Sequence, residues 1–256
     1  MKIDRTTAIR QHLFAKGYSS IAEIALAVGA SEPTVRRDLV VLEAEGQISR
    51  THGGAQIAVT SEGEIAFESR ERINLPAKRA IADVAYSLLR AQTSVFLDAG
   101  TTVLQLARRL RLNPMPLRVF TNCLPVAQVL MGVPQISVTL LGGTLRAQNA
   151  SMVGMFAEDA LQRLWFDQVF LGAGALDGAG EVTSTDEQEA HLNALMLTRT
   201  SAPVLLLDAS KINQRLTYTV GRVSSAMHII SDAGLSSAWV ASLSDLGCTV
   251  SVAPVG

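Results

Sequence analysis

Small and polar residues that suit phosphate binding follow a short apolar run at residues 95–98 of this 256-residue chain. Asp98 ends the run, and Gly100, Thr101 and Thr102 come next, where a helix is predicted to begin. Backbone amides at the start of a helix, together with two hydroxyl groups, form a favourable site for a phosphate. Two threonines at a helix start are also a common cap, so this loop alone leaves a structural interpretation open.

Comparable loops follow other apolar runs farther along the chain. They contain Thr121 and Asn122, then Gly142, Gly143 and Arg146, and finally Gly172. Lys211 stands just beyond the run at 204–208, where its ammonium group could reach a bound phosphate. A glycine after a strand is often a plain turn, and a loop lysine is often only solvated. The hypothesis of a phosphate site therefore rests on the conjunction of these loops.

The elements that would position these loops alternate from residue 76 onward, with helical patterns at 76–90 and 101–111. The apolar runs between helices lie at 95–98, 117–121, 136–141, 168–172, 204–208 and 228–231. Runs this short predict parallel strands buried on both faces, in a Rossmann-like, doubly wound α/β domain. The exits of such strands meet along one edge of the sheet, where ligands usually bind.

Three helices are predicted nearer the N-terminus, at 5–16, at 21–29 and from Ser31 onward. Apolar residues at helical spacing predict a small separate core, which consists of Ile9, Leu13, Phe14, Ile21, Ala25, Val28, Val35, Leu39 and Leu42. Ser20 and Ser31 are placed to cap the second and third helices, and Gly29 suits the left-handed turn between them. Two helices joined by such a turn predict a helix-turn-helix.

The third of these helices carries residue types that bind DNA on its outward side. Arg36 and Arg37 are left exposed, and arginine can grip a phosphate or the O6/N7 edge of guanine with two parallel hydrogen bonds. Thr34, near the helix start, could place its hydroxyl against a phosphate. Arg50 follows in a short strand before a glycine turn, as expected of a wing beside a recognition helix. The alternative is an ordinary solvated helix face, on which Arg37 pairs with Glu43 or Asp38.

Residues 31–55, SEPTVRRDLVVLEAEGQISRTHGGA, closely resemble the signature of the DeoR-type bacterial regulators. The resemblance implies a winged helix-turn-helix that binds double-stranded operator DNA. The residues that it places on the DNA are Ser31, Thr34, Arg36, Arg37 and, in the wing, Arg50. Asp38 is expected to orient an arginine.

The glycine-rich blocks, in the same order, resemble the sensor domain of that family, so the resemblance covers residues 1–235. It implies a domain related to the sugar-phosphate isomerases and CoA-transferases, with a phosphorylated sugar or polyol as effector. The effector contacts that it implies are Asp98, Gly100, Thr101, Thr102, Thr121, Asn122, Gly142, Gly143, Arg146, Gly172, Glu189 and Lys211. Ala99 stands where serine is common and residues 147–149 lack the usual second basic residue, which leaves the identity of the effector open.

The composition is that of a globular chain, with 48% apolar residues, 18% charged residues and a net charge of -1. Without an overall basic charge, DNA binding must come from cations gathered on one surface. No apolar run approaches the roughly 20 residues of a membrane span, and the charged N-terminus lacks the features of a secretory signal, so we expect a cytoplasmic protein. Cys123 and Cys248 are too few and too far apart for a disulfide framework or a metal site, and no cofactor is expected.

We therefore predict a DNA-binding domain at 1–55, a linker at 56–75 and an effector-sensing α/β domain at 76–256. The predicted function is repression of a carbohydrate or polyol catabolic operon, relieved when a phosphorylated effector binds. A homo-oligomer, dimer or tetramer, is expected because paired half-sites multiply affinity. The alternative is an isomerase-like activity in which Asp98, Glu189 and Lys211 move a proton. The DNA-binding domain favours a regulator that only binds its effector, because an isomerase would not need such a domain.

Overall fold

The chain divides into two compact units, Met1–Glu64 and Ile65–Gly256. The computed structural model describes residues 4–44, 48–51, 53–57 and 67–254. Of the predicted linker at 56–75, residues 58–66 lie outside the described residues, whereas a strand includes residues 56 and 57 and a helix begins at Phe67. The predicted domain boundaries at 55 and 75 stay predictions.

The first unit contains three helices and a three-stranded antiparallel sheet. Its elements are α1 (Arg5–Lys16), β1 (Ser19–Ser20), α2 (Ile21–Val28), α3 (Glu32–Ala44), β2 (Ile48–Thr51) and β3 (Gly54–Ile57). The sheet order is β1-β3-β2, so β2 and β3 form the hairpin of a wing beside the α2–α3 pair. This arrangement confirms the predicted winged helix-turn-helix.

The two ends of α2 are fixed by the residues that the sequence marks for them. The Ser20 hydroxyl accepts a hydrogen bond from the Glu23 amide, and the Glu23 carboxylate accepts one from the Ser20 amide at 2.7 Å. This reciprocal capping box satisfies two amides that the helix leaves without a partner. Gly29 ends the helix at φ +63°, a left-handed conformation that glycine adopts at little cost.

The core of the first unit differs from the predicted one on α1 and α2, and strands β2 and β3 add Ile48 and Ala55 to it. Its buried members are Ile9, Leu13, Ile24, Ala25, Val35, Leu39, Leu42, Ile48 and Ala55. Phe14, predicted on the inner face of α1, is 85% exposed because it is rotated about 100° around the helix from the buried Leu13. On α2, which packs against both α1 and α3, Ile24 is buried while Ile21 and Val28 are only half-buried.

The second unit alternates helices and strands along most of its length. It contains α4 (Phe67–Arg72), α5 (Leu75–Leu88), β4 (Thr93–Leu97), α6 (Thr101–Leu112), β5 (Leu117–Thr121), α7 (Leu124–Leu130), β6 (Ile136–Leu140), β7 (Thr144–Arg146), β8 (Ser151–Val153), α8 (Met155–Gln162), β9 (Gln168–Gly172), β10 (Ala175–Leu176), β11 (Glu181–Ser184), α9 (Glu187–Leu197), β12 (Pro203–Leu206), a 3₁₀ turn (Ala209–Lys211), β13 (Tyr218–Arg222), β14 (His228–Asp232), α10 (Ser237–Asp245) and β15 (Thr249–Ala253). All six predicted strands are present, and the sequence analysis missed six others, which are β15 and the short strands β7, β8, β10, β11 and β13.

Seven of these strands form one sheet in the order β15-β14-β12-β9-β4-β5-β6, and every pairing in it is parallel. Helices α5 to α7 pack on one face and helices α8 to α10 on the other, each over its own hydrophobic core. Neighbouring residues of β4 divide between the cores, with Phe96 in one and Leu97 in the other. Both faces are thus covered, which confirms the predicted doubly wound α/β domain.

The chain reverses its direction across the sheet at β4. From β4 it proceeds through β5 to β6, and then it returns to β9 on the other side of β4 and continues through β12, β14 and β15. A crevice forms at such a reversal, outside the carboxyl ends of the two diverging strands, and ligands of α/β sheets bind there. The candidate residues after β4 and β9 therefore lie at this switch point. The space outside the carboxyl ends of β4 and β9 is here called the crevice.

Candidate functional site

The exposed face of α3 carries the two arginines that were predicted to bind DNA. Val35 and Leu39 point into the core, so Arg36 and Arg37 are exposed. Arg36 makes one loose ion pair, 3.5 Å from its Nη2 to a Glu32 carboxylate oxygen. Within the described part of the chain, Arg37 makes no ion pair.

The two acids that the alternative interpretation would pair with Arg37 have other partners. Asp38 receives two hydrogen bonds from the Arg5 guanidinium, at 2.5 and 3.0 Å, so it does orient an arginine, but one on α1. Glu43 pairs with Arg50, with 3.4 Å between their charged atoms, and accepts a hydrogen bond from its amide. Asp38 and Glu43 therefore bind α1 and β2 to α3, and neither of them neutralises the charge of Arg37.

The start of α3 presents two hydroxyl groups side by side. The oxygens of Ser31 and Thr34 lie 2.9 Å apart, and the Ser31 carbonyl accepts the amide of Thr34. Hydroxyls next to a helix start suit a DNA phosphate. Arg50 is exposed on the β2 strand of the wing. The structure thus presents all five predicted DNA contacts on the first unit, and their role as contacts stays a prediction.

The switch point of the sheet brings the loops after β4 and β9 into contact. The Gly172 amide donates a hydrogen bond of 3.0 Å to Asp98. A Cβ atom added to Gly100 would lie 3.4 Å from the Gly172 Cα atom, so the two backbones run close together. Gly100 precedes α6 and offers no side chain to cap it, which leaves the amides at that helix start open to a bound anion. Thr101 and Thr102 follow and are buried.

The pKa of the Asp98 carboxyl group is raised because the residue is buried. It is 3% exposed, and burial raises its pKa to about 7, while the Gly172 amide acts in the opposite direction and the charge of Glu189 adds to the rise. The carboxyl group therefore exchanges its proton near neutral pH. Such a group changes the net charge of the crevice within the physiological range.

Glu189 and Arg146 form an ion pair that joins the β7–β8 hairpin to α9. One Glu189 oxygen accepts hydrogen bonds from Arg146 at 3.0 Å, from Ser151 at 2.9 Å and from the Asn149 amide group. The Arg146 Nε atom also pairs with Asp186, which caps α9, at 3.0 Å. Arg146 thus has two acidic partners, Asp186 and Glu189.

Lys211 reaches the same crevice from the 3₁₀ turn after β12. It is half-buried, and its Nζ atom donates a hydrogen bond of 2.8 Å to the carbonyl of Ala173, the residue that follows Gly172. Burial lowers its pKa to about 8, although the neighbouring charge of Asp208 opposes that change. Lys211 is therefore not the solvated loop lysine of the alternative interpretation.

Thr121 and Asn122 have backbone partners at the exit of β5. The Thr121 hydroxyl donates to the Leu97 carbonyl at 2.6 Å and accepts from the Cys123 amide at 3.0 Å, which fastens β5 to β4. Asn122 is buried, and its amide group lies 3.5 Å from the Met152 carbonyl. An effector contact by Thr121 or Asn122 stays a prediction.

Gly142 and Gly143 are exposed in the loop after β6. Gly143 has φ +149°, and a Cβ atom there would lie 2.6 Å from the Val153 carbonyl oxygen. The hairpin therefore requires glycine at this position. An effector contact by either glycine stays a prediction.

Two cations of the second unit escaped the sequence analysis. Lys78 on α5 is 2% exposed, and its ammonium donates to the Ile73 carbonyl at 2.7 Å and to the Arg70 carbonyl. Arg70 on α4 donates to the side-chain oxygen of Asn149. A signal for Lys78 exists in the sequence, since it falls on the face of α5 that buries Ile81 and Ala85, where a lysine is unexpected.

Among the described helices, none has the length and apolar character needed to cross a bilayer. Over the same described residues, no group of three His, Cys, Asp or Glu side chains is placed to hold a metal ion. Cys123 and Cys248 are both buried free thiols.

Two family models match the chain in order. The DeoR-like helix-turn-helix domain matches residues 5–61, and the DeoR C terminal sensor domain matches residues 73–233. A solved ribose 5-phosphate isomerase A from Methanocaldococcus jannaschii is similar with a TM-score of 0.39 and 16% identity, over 53% of each chain. That likeness is too low to support the expected relation to sugar-phosphate isomerases.

Several curated relatives are similar over most of their length. HTH-type transcriptional regulator GlpR of Haloferax volcanii is 40% identical over 197 residues, which cover 77% of this chain and 76% of the relative. A putative aga operon transcriptional repressor of Escherichia coli O157:H7 is 32% identical, covering 91% and 87%. A lactose phosphotransferase system repressor of Streptococcus mutans is 32% identical, covering 90% and 92%. These relatives are regulators, in agreement with the prediction of a regulator instead of an enzyme, and the chain belongs to the DeoR family of DNA-binding transcriptional regulators.

Proposed function

We propose that this regulator represses a carbohydrate or polyol catabolic operon, and that a phosphorylated sugar or polyol binding at the switch point releases it from operator DNA. The name of one relative, a lactose phosphotransferase system repressor, supports a carbohydrate as the regulated class. The glycine-capped start of α6 supports the phosphate, because its amides are open to an anion.

Lys211 is the observation that carries the proposal. Its ammonium is half-buried beside the switch point, where its hydrogen-bond acceptor is the neutral carbonyl of Ala173. Among the residues that the structure describes, it has no ion-pair partner. A cation held in this way is stabilised by an incoming anion, and charge-assisted hydrogen bonds are stronger than neutral ones. A phosphate between Lys211 and the start of α6 would provide them.

Release from the operator requires two states of the protein that bind the effector differently. In this proposal the protein is a dimer or a tetramer, and effector binding changes how the second units associate and thereby the spacing of the recognition helices. A ligand shifts such an equilibrium only by its difference in affinity for the two states, and a few kcal/mol suffice.

A thermal-shift screen of phosphorylated sugars and polyols tests the effector site. We expect at least one compound to raise the melting temperature of the wild type and of Lys16→Met, an exposed lysine of the first unit. The same compound should give no shift with Lys211→Met. It should also dissociate the wild type from an operator recovered by selection from random DNA. A screen without any shift, or a shift that survives in Lys211→Met, would contradict the proposal.

A further inference from the structure

The segment that leads out of the DNA-binding unit is bonded directly to the crevice. Helix α4 is the first described element after β3, and residues 58–66 connect the two. On α4, the Arg70 Nη2 atom donates to the Asn149 side-chain oxygen. The Asn149 amide group in turn donates to the Ala99 carbonyl at 3.0 Å and to Glu189. Two hydrogen bonds thus separate α4 from the loop that begins α6.

A second connection joins the end of α4 to the turn that contains Lys211. The Lys78 ammonium binds the carbonyls of Arg70 and Ile73, where α4 ends. Asn74, the next residue, donates to Asp208 at 2.9 Å and to Ser210 at 3.1 Å, in the turn that positions Lys211. The position of α4 therefore depends on both sides of the crevice.

Helix α4 is also held against the second unit at its other residues. Phe67 is 3% exposed, and its amide donates to the Gln148 carbonyl at 3.1 Å, next to Asn149. Glu71 pairs with Arg108 on α6 at 2.5 Å. A rearrangement of the loop at 147–149 would therefore move the helix and the chain attached to it.

Arg70 is the residue of this network that has a hydrogen-bond donor without an acceptor. Its Nε atom is buried and, among the described residues, has no acceptor. The Arg70 Nη2 atom does have an acceptor, the neutral side-chain oxygen of Asn149. Arg70 makes no ion pair within the described ranges. Arg70 and Lys78 both act to lower the pKa of Lys211, in addition to its burial, so the three cations lie close enough to repel one another. An anion stabilises a buried donor without an acceptor, and it also stabilises three cations whose mutual repulsion Asp98 and Asp208 offset only in part.

We propose that Arg70 binds the anionic group of the effector, and that this contact draws Arg70 away from Asn149 and so transmits effector binding to α4 and the segment leading to the DNA-binding unit. The inference rests on the proposed effector site at Lys211. Residues 147–149 contain no basic side chain, and Arg70 supplies one at that place from a different element. Arg70 then both binds the effector and changes the contacts of α4 when the effector is bound.

The test compares Arg70→Gln with Arg72→Gln, which removes the same charge from an exposed position of the same helix. Inorganic phosphate is the probe, its affinity is measured by titration calorimetry, and hydrogen exchange of the α4 amides is followed in the full chain. We expect phosphate to change α4 exchange in the wild type and in Arg72→Gln. Arg70→Gln should bind phosphate at least about tenfold more weakly, and at saturation its α4 exchange should not respond.

The outcomes separate this inference from the proposed effector site. Phosphate binding that is lost in Lys211→Met but unchanged in Arg70→Gln would overturn the role of Arg70 alone. A normal α4 response in Arg70→Gln at saturation would overturn the transmission. No binding by the wild type would contradict both proposals. If Arg70→Gln does not fold, Arg70→Lys keeps the charge without the forked geometry, and it should still bind phosphate but lose the α4 response.

Discussion

Asp98 and Lys211 titrate within two pH units of each other on the same crevice. The pKa of Asp98 is raised to about 7, chiefly by burial and also by Glu189. The pKa of Lys211 is lowered to about 8, chiefly by burial and also by Lys78, while Asp208 opposes the change. As the pH rises, the first group gains a negative charge and the second loses a positive one. Both changes disfavour an anion.

Anion affinity should therefore fall as the pH rises from 6 to 9. Sulfate is a suitable probe because its charge does not change over this range, and titration calorimetry measures its affinity. We expect a decrease of at least about tenfold, since one pKa unit corresponds to about 1.4 kcal/mol. In Asp98→Asn the decrease near pH 7 should disappear and the decrease near pH 8 should remain. An affinity that is constant or rises with pH would contradict the assignment of both groups to the site.

Arg37 is the residue-scale test of DNA recognition. It is exposed and makes no ion pair in the part of the chain that the structure describes, so Arg37→Ala should leave the fold unchanged. We expect operator affinity to fall at least about fivefold for each half-site, because a bidentate arginine contact contributes about 1–3 kcal/mol. Fluorescence anisotropy with the selected operator measures the loss. Lys16→Ala, which removes a charge from the same unit, should bind normally, and retained affinity in Arg37→Ala would refute the recognition surface.

The sequence predicts polar residues of the crevice where they follow apolar strands. Asp98 and Lys211 could be found because each stands just after a strand-like run. Arg70 and Asn149 could not, because neither follows such a run and their meeting depends on α4 folding back on the loop at 147–149. Residues that approach a site from distant parts of the chain leave no local pattern.

At the scale of elements, strand prediction depended on how completely each strand is buried. Strands β9 and β12 are buried over nearly their whole length because both of their faces are covered, and their limits were predicted within two residues. Strand β15 lies at the edge of the sheet and alternates polar and apolar residues over Thr249–Ala253. The apolar run that identifies an inner strand is missing from β15, whereas β6, at the opposite edge of the sheet, was predicted.

Lys78 should be the residue that holds the end of α4. In Lys78→Met the carbonyls of Arg70 and Ile73 lose their donor, and leaving buried acceptors unpaired costs about 1–3 kcal/mol each. We expect faster hydrogen exchange and faster proteolysis around residues 67–74, while the sheet stays protected. Arg79→Met is the matched control because it changes the adjacent, exposed cation. Equal exchange in both variants would show that α4 does not depend on Lys78.

At the scale of the whole molecule, the proposed effector site and the predicted DNA contacts are on different compact units. Coupling between two such sites is reciprocal, because the free energies of the four binding states form a closed cycle. The family of the chain was predicted from residues 31–55, since that dense motif lies in one continuous segment. The coupling could not be predicted, because it depends on contacts of α4 that no motif contains.

Operator DNA should weaken effector binding by the same factor by which the effector weakens operator binding. Such factors are typically about 5 to 150. The compound selected by thermal shift would be titrated against the free protein and against its operator complex, with a duplex of unrelated sequence as control at the same salt concentration. If operator DNA does not weaken effector binding, or if the unrelated duplex weakens it equally, release does not occur through linkage between the two sites.

The position of the crevice at the switch point has an evolutionary consequence. Side chains within β4 stabilise the two cores, whereas the residue immediately after the strand, Asp98, belongs to the crevice. Stability and ligand preference are therefore encoded in different residues of the same segment. Under the proposed function, mutations around the crevice can change the effector to which such a protein responds while the strands that form the two cores stay the same, so new specificities can arise from one ancestor without loss of the scaffold.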